Sequence, residues 1–273
     1  MKSTLLLKKI NLANNCMFVA VNISGIEIEF ALIDENAKIV SKFSISTQNK
    51  RTDDQYTTEI KNVFDYLQVN KADITHAAIL SNVPKFDRIV SDFFKTYIKI
   101  EPVVILNRDV KFACATNISV SEIPVDVFAG CYACNKKYGD NVVFVNFDTI
   151  ITFSVCVNNE FVGYSVFPGL DLLANAVHEQ VAEYPEIMIE ATQKTSAIDR
   201  YNALNIGVFN GVMGACDNII QNIINEYPNK QFKVVATCKK PELLQYSKTI
   251  NLIDPDLRIK GIIECAKTKI FGI

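Results

Sequence analysis

The stretch "VVFVNFDTIITFSV", Val142 to Val155, reads as two strands joined by a polar bend. Its flanks are mostly apolar and β-branched, as in strands covered on both faces. Between them, Asn146-Phe147-Asp148-Thr149 places an amide, a carboxylate and a hydroxyl where the chain reverses. Bends that hold an anion usually do so with glycine, whose bare backbone can approach closely, and this one has none. "VNNE" (157–160) then marks a hairpin turn, and "FVGYSVF" a third strand.

The same plan occurs earlier, in "MFVAVNISGIEIEFALIDENAKIVSKFSI" (17–45). A strand ends at Asn22, a bend follows, and two more strands run either side of the "DENA" turn. Laid Asn22 over Asn146, the two meanders stay in register to the turn after the second strand, an internal repeat of pattern rather than identity. Helical periodicity follows the first meander, with Tyr56, Ile60, Val63, Phe64 and Leu67 on one face, then Phe86, Ile89, Val90, Phe93, Phe94 and Tyr97 on another. "HAAILSNVP" (76–84) between them is a short buried strand ending at a proline-marked loop. After the second meander, 169–184 and 205–227 read as helices and "FKVVATCKK" (232–240) as a strand. Gly207, Gly211 and Gly214, near one-turn spacing, predict close approach of another backbone. The expectation is an α/β chain of two duplicated halves, residues 1–120 and 121–273, each with a mixed five-stranded sheet and flanking helices. The second half would carry the linking helix and the helices of a dimer. The polar bends of both halves are expected to face a shared cleft, as in ribonuclease H-like, actin-like and sugar-kinase-like ATPases.

Composition narrows the partners. The chain has 273 residues, 49% of them apolar, with a net charge of −2 and interspersed charges. That argues against a nucleic-acid surface or a membrane patch. No apolar run approaches the roughly 20 residues of a membrane helix, and "STLLLKKINL" (3–12) reads as an ordinary N-terminus, so a cytoplasmic protein is expected. Most of the eight cysteines lie in apolar stretches and read as free buried thiols. Cys131 and Cys134 form a CxxC, but with no second pair and only His76 and His178 a metal site is not expected.

The order of short motifs resembles the type III pantothenate kinases. "VNISG" (21–25) stands where that family has D-x-G-N-T, and "FSISTQNKRTDDQY" (43–56) matches its strand and R-T-x-D-E-Y helix start. "AILSNVP" (78–84) matches S-x-V-P, "IPVDVFAG" (123–130) the G-x-D-R helix, and "NFDTIIT" (146–152) the second phosphate bend D-x-G-T-A-x-T. "GYSVFPG" (163–169) corresponds to G-G-x-I-x-P-G, "ATCKK" (236–240) to a strand ending in T-G-G, and "LRIKGI" (257–262) to a terminal L-x-L-x-G-L. The resemblance implies ATP-dependent phosphorylation of pantothenate in coenzyme A biosynthesis. It implies Asp126 as the base, and Asn22, Ser24, Gly25, Asn146, Asp148, Thr149, Thr152, Thr237 and Lys239 around the nucleotide. Gly163, Pro168 and Gly169 would lie at the substrate, with Mg²⁺ and a monovalent cation as accompanying ions, in a homodimer or a heterodimer with an intact paralogue.

The chain also departs from the family pattern. Asn22 and Asn146 replace aspartates, Asp148 replaces a glycine, Val127 an arginine, and Cys238-Lys239 a glycine pair. A carboxylate about 4 Å from a phosphate, at an effective dielectric near 20, costs on the order of 4 kcal/mol unless something offsets it. A bound Mg²⁺ with Asp148 as ligand is one such offset. Loss of the nucleotide site is the alternative, leaving a catalytically impaired partner subunit or regulator.

Overall fold

A computed structural model of the chain describes residues 16–47 and 51–271. The stretch 3–12 and residues 48–50 lie outside the described residues. The strands of the first meander are β1 (Cys16–Ile23), β2 (Glu27–Asp34) and β3 (Ile39–Ser46). Then come α1 (Asp53–Tyr66), β4 (His76–Ser81), α2 (Pro84–Phe93), β5 (Val103–Ile105) and β6 (Ala113–Cys114). Helix α3 (Val125–Tyr138) leads to the second meander, β7 (Val142–Phe147), β8 (Ile150–Val157) and β9 (Glu160–Pro168). The rest is α4 (Leu170–Gln180), α5 (Arg200–Glu226), β10 (Lys233–Cys238), α6 (Pro241–Leu244), β11 (Leu252–Ile253) and α7 (Leu257–Phe271).

Two compact units form, each drawing on separated parts of the chain: the described residues up to 111, with 123–129 and 259–271, in one, and 112–122 and 130–258 in the other. The division expected at 120/121 is a cut in chain order, whereas these units interleave along the chain.

The first unit is a five-stranded mixed sheet in the order β3-β2-β1-β4-β5. β1 runs antiparallel to β2 and parallel to β4. Alternation decides which face is buried: Val19, Val21 and Ile23 of β1 join Ile28, Phe30 and Leu32 of β2 in one core cluster with α1 and α2. Phe30 stacks on Phe43 at 4.7 Å, and Phe64 of α1 meets both rings edge-on. Such pairs are worth about 0.5–1.5 kcal/mol each beyond their buried area. Helix α1 starts where it does because Thr52 and Gln55 make a capping box, each side chain bonded to the other's backbone N–H.

The second unit repeats this plan. Its sheet runs β11-β10-β7-β8-β9-β6, so β7, β8, β9, β10 and β11 take the places of β1 to β5. Here β7 is antiparallel to β8 and parallel to β10. The sheet has six strands rather than the expected five, because Ala113-Cys114 pairs with Glu160-Phe161 and covers the outer edge of β9. The β8–β9 hairpin turns at Asn158 and Asn159, both with positive φ (52° and 66°), the backbone that a two-residue turn needs and asparagine tolerates. Val143, Val145 and Phe147 of β7 pack with Ile151, Phe153 and one face of α5. Cys131 and Cys134 are free and buried in α3, and burial pushes both thiols up.

Helix α5 begins earlier than its apolar period suggested, because Asp199 caps it by accepting from the Asn202 N–H at 2.9 Å. Among the described residues of this chain nothing makes the close approach expected at Gly207, Gly211 and Gly214: a Cβ at any of them meets nothing within 4 Å. The helix buries Leu204, Phe209, Val212, Met213 and Cys216 instead, which leaves the glycines on the exposed face. Gly211→Ala is therefore expected to stabilise the chain by up to about 1 kcal/mol, as helical Gly-to-Ala changes do. A lower melting temperature in that variant would show that another surface packs there.

Candidate functional site

In the first unit, β1 and β4 are adjacent and parallel, with Ile23 opposite Ser81. The loops that leave them emerge at the same end of the sheet, the carboxyl end, where open α/β sheets place ligands. Asn22 is 3% exposed on β1, in register with Glu29 and Leu80. The bend after it is closed by Ser24, whose Oγ accepts from the N–H groups of Ile26 (3.4 Å) and Glu27 (3.2 Å). Gly25 is exposed at the tip, and its carbonyl accepts from Thr47 Oγ1 at 2.8 Å.

The loop after β4 reaches the first turn of α3. Asn82 Nδ2 donates to Asp126 Oδ1 at 2.6 Å, and Asn82 Oδ1 accepts from the Val125 N–H at 3.2 Å. One amide thus satisfies a backbone donor at the start of α3 and holds the Asp126 carboxylate. The second carboxylate oxygen is not engaged by that contact. Nothing in the "AILSNVP" stretch marks Asn82 as functional, and only the fold shows that it reaches residues more than 40 positions away.

In the second unit, the same end of the sheet gathers most of the remaining predicted residues. Asn146 on β7 is in register with Thr152 on β8 and Thr237 on β10. These three polar residues form a row across three strands, on the sheet face opposite the apolar core of Val143, Val145, Ile151, Phe153 and Ala236. Thr152 is 7% exposed, and its hydroxyl is buried without a hydrogen-bond partner. Lys239 follows β10, exposed, at that end of the sheet. Pro168 pairs with Ile150 beside the bend. Gly163 lies elsewhere: it pairs with Val155 at a β8–β9 bulge, five residues or about 17 Å back along β9.

The β7–β8 turn itself is Asp148-Thr149, with Asn146 and Phe147 still in the strand. Asp148 Oδ1 accepts from the Thr149 N–H at 2.9 Å. Its Oδ2 accepts from Arg258 Nη1 at 2.6 Å, with the two side chains only 17% and 10% exposed. Arg258 enters from the first turn of α7. The repulsion expected between Asp148 and a phosphate therefore has a counter-charge of the same order already in place. Removing one partner of such a pair alone leaves an uncompensated buried charge, at a cost of about 3–5 kcal/mol. Gly169 closes the turn from behind: its N–H donates to the Thr149 carbonyl at 2.8 Å, and a Cβ there would sit 2.2 Å from the Asp148 carbonyl oxygen.

The donor set suits a phosphate better than a protein-held metal. At the β7–β8 bend a buried hydroxyl lacks a partner, whereas Asn22 and Asn146 offer only neutral amides and the Asp148 carboxylate is taken by Arg258. Among the described residues no group of three or more His, Cys, Asp or Glu side chains is placed to hold a metal ion. No helix among them is long and apolar enough to cross a membrane.

A sheet of three antiparallel strands with two parallel additions, built twice, defines the class: the ATPase fold shared by sugar kinases and actin-like proteins. A Baf-family protein from Campylobacter jejuni, assigned as a transcriptional activator, superposes with a TM-score of 0.54 at 14% identity, over 92% of this chain and 98% of its own. An assigned N-acetylmannosamine kinase from Listeria monocytogenes gives 0.52 at 10%, over 92% and 99%. The chain belongs to the type III pantothenate kinase family, whose model matches residues 20–222. It is 26% identical to the type III pantothenate kinase of Fusobacterium nucleatum, over 90% of this chain and 97% of that one. With the Ehrlichia canis enzyme of that name the identity is 27%, over 90% and 94%.

Proposed function

We propose that the chain transfers the γ-phosphate of ATP to the primary hydroxyl of pantothenate, the step that commits pantothenate to coenzyme A. The observation that carries this reading is the Asp126 carboxylate, held through one oxygen by Asn82. A general base must be oriented and must keep an acceptor free. Asp126 Oδ2 would take the proton as the hydroxyl oxygen attacks the γ-phosphorus and the bond from that phosphorus to the departing ADP oxygen breaks, while Asn82 stops the carboxylate from turning away. Phosphoryl transfer asks little covalent chemistry of a protein beyond such positioning and the neutralisation of charge on the phosphate oxygens. The Thr149 N–H, the Thr152 hydroxyl and Lys239 are the candidate donors to those oxygens. Mg²⁺ and a monovalent cation are the ions the family implies, and the residues fit a protein-held Mg²⁺ poorly. A cytoplasmic dimer is the setting this reading calls for.

The test is direct. Full-length chain, ATP, Mg²⁺ and pantothenate are expected to yield 4'-phosphopantothenate by mass spectrometry, and folded protein without product overturns the reading. The Asp148–Arg258 pair favours one second reading, a chain whose nucleotide bend is closed and which serves an active kinase as partner subunit or regulator. That reading expects no product from the chain alone, and a changed rate when it is added to an active family member.

A further inference from the structure

Arg258 and the Thr149 main chain converge on one carboxylate. A guanidinium N–H meets Asp148 Oδ2 at 2.6 Å and an amide N–H meets Oδ1 at 2.9 Å. A largely buried guanidinium beside a turn amide is the donor set of an anion site. Here the anion belongs to the chain itself. The hydroxyl of Thr152, more than nine-tenths buried and without a partner, sits in the second residue pair back from the same turn. Gly169 packs against the Asp148 and Thr149 carbonyls from behind, and the donors Arg258 and the Thr149 N–H are both already engaged by the Asp148 carboxylate.

We propose that Arg258 and the Thr149 N–H form the phosphate-binding site of this turn, and that Asp148 occupies it as an internal stand-in for a phosphoryl group. A nucleotide phosphate binds by displacing the Asp148 side chain and taking over Arg258. The inference rests on the turn facing phosphate, as in the proposed function, and adds both the cation that binds there and the group that competes for it. A polyphosphate carries more negative charge than one carboxylate, so it can win the exchange. Its apparent affinity is lowered by the fraction of time that Asp148 holds the site.

Calorimetry on the full chain with inorganic tripolyphosphate, and separately with Mg²⁺-ATP, tests this. Asp148→Gly is expected to bind tripolyphosphate at least about tenfold tighter than the parent, because the competing state is gone. Asp148→Gly/Arg258→Gln is expected to lose that gain, and Asp148→Gly/Arg258→Lys to keep only part of it, since a lysine lacks the planar fork. Asp148→Asn keeps the side-chain shape and an acceptor for Thr149, and is read in the same way if the glycine variant does not fold. Equal affinity in the parent and the single variants, or a gain that survives loss of Arg258, overturns the proposal. Pantothenate phosphorylation separates the two readings. A gain that depends on Arg258, with no product from any variant, upholds the turn site and sinks the kinase reading. Product from the parent with no gain in the variants does the reverse.

Discussion

Gly169→Ala is expected to lower stability by about 3 kcal/mol, the upper end of what overpacking costs. The conformation of Gly169 is ordinary, with φ −78° and ψ 175°, so backbone strain is not the reason. Space is. An added Cβ would lie 2.2 Å from the Asp148 carbonyl oxygen and 2.7 Å from that of Thr149. Both are main-chain atoms of a tight turn and cannot rotate aside as a side chain would. The turn has to open, which breaks the Gly169 N–H to Thr149 carbonyl bond and shifts Asp148 away from Arg258. A thermal melt of the variant reads the loss. An unchanged melting temperature would mean that the turn and the start of α4 do not pack as described.

Asp126→Asn is the second large effect. As general base, Asp126 is expected to account for a factor of about 10²–10⁴ in kcat, with the Michaelis constant for pantothenate nearly unchanged. A purely structural Asp126 would do no more than complement the dipole at the start of α3, worth about 0.3–1 kcal/mol of stability. The two roles predict different readouts. A variant that melts normally and turns over at least about a hundredfold more slowly supports the base. A variant with parental kcat and a slightly lower melting temperature removes it. Asn82→Ala separates positioning from chemistry. It leaves the carboxylate in place without its hydrogen bond and costs about 1 kcal/mol through the lost bond to the Val125 N–H, so its kcat is expected to fall less than that of Asp126→Asn.

The two meanders were legible because a strand writes its burial with period two, and β1–β2–β3 and β7–β8–β9 write it in the same order with an asparagine at the same place. The helices α1 and α2 were legible for the same reason at period 3.6. The sixth strand was not, since two residues, Ala113 and Cys114, are too few to carry a period. The spacing of Gly207, Gly211 and Gly214 states that they share a face of α5, not what packs against it. Gly163 shares a motif with Pro168 and Gly169, yet a strand separates residues by about 3.3 Å each, so the motif spans more of β9 than the bend does.

The sequence places polar residues at the bends but does not say what they touch. Asp148 read as a carboxylate that repels phosphate, and it lies against Arg258, 110 residues further on. Asp126 read as a base or a helix-end charge, and its partner Asn82 lies 44 residues before it. Local pattern records what each residue needs from its immediate neighbours, so this chain's order of residues determined the strands, the bends and the repeat on its own. Charge pairing across such distances depends on which loops the sheet brings to one end. Only the tertiary structure decided that the β7–β8 bend carries its own anion and its own cation.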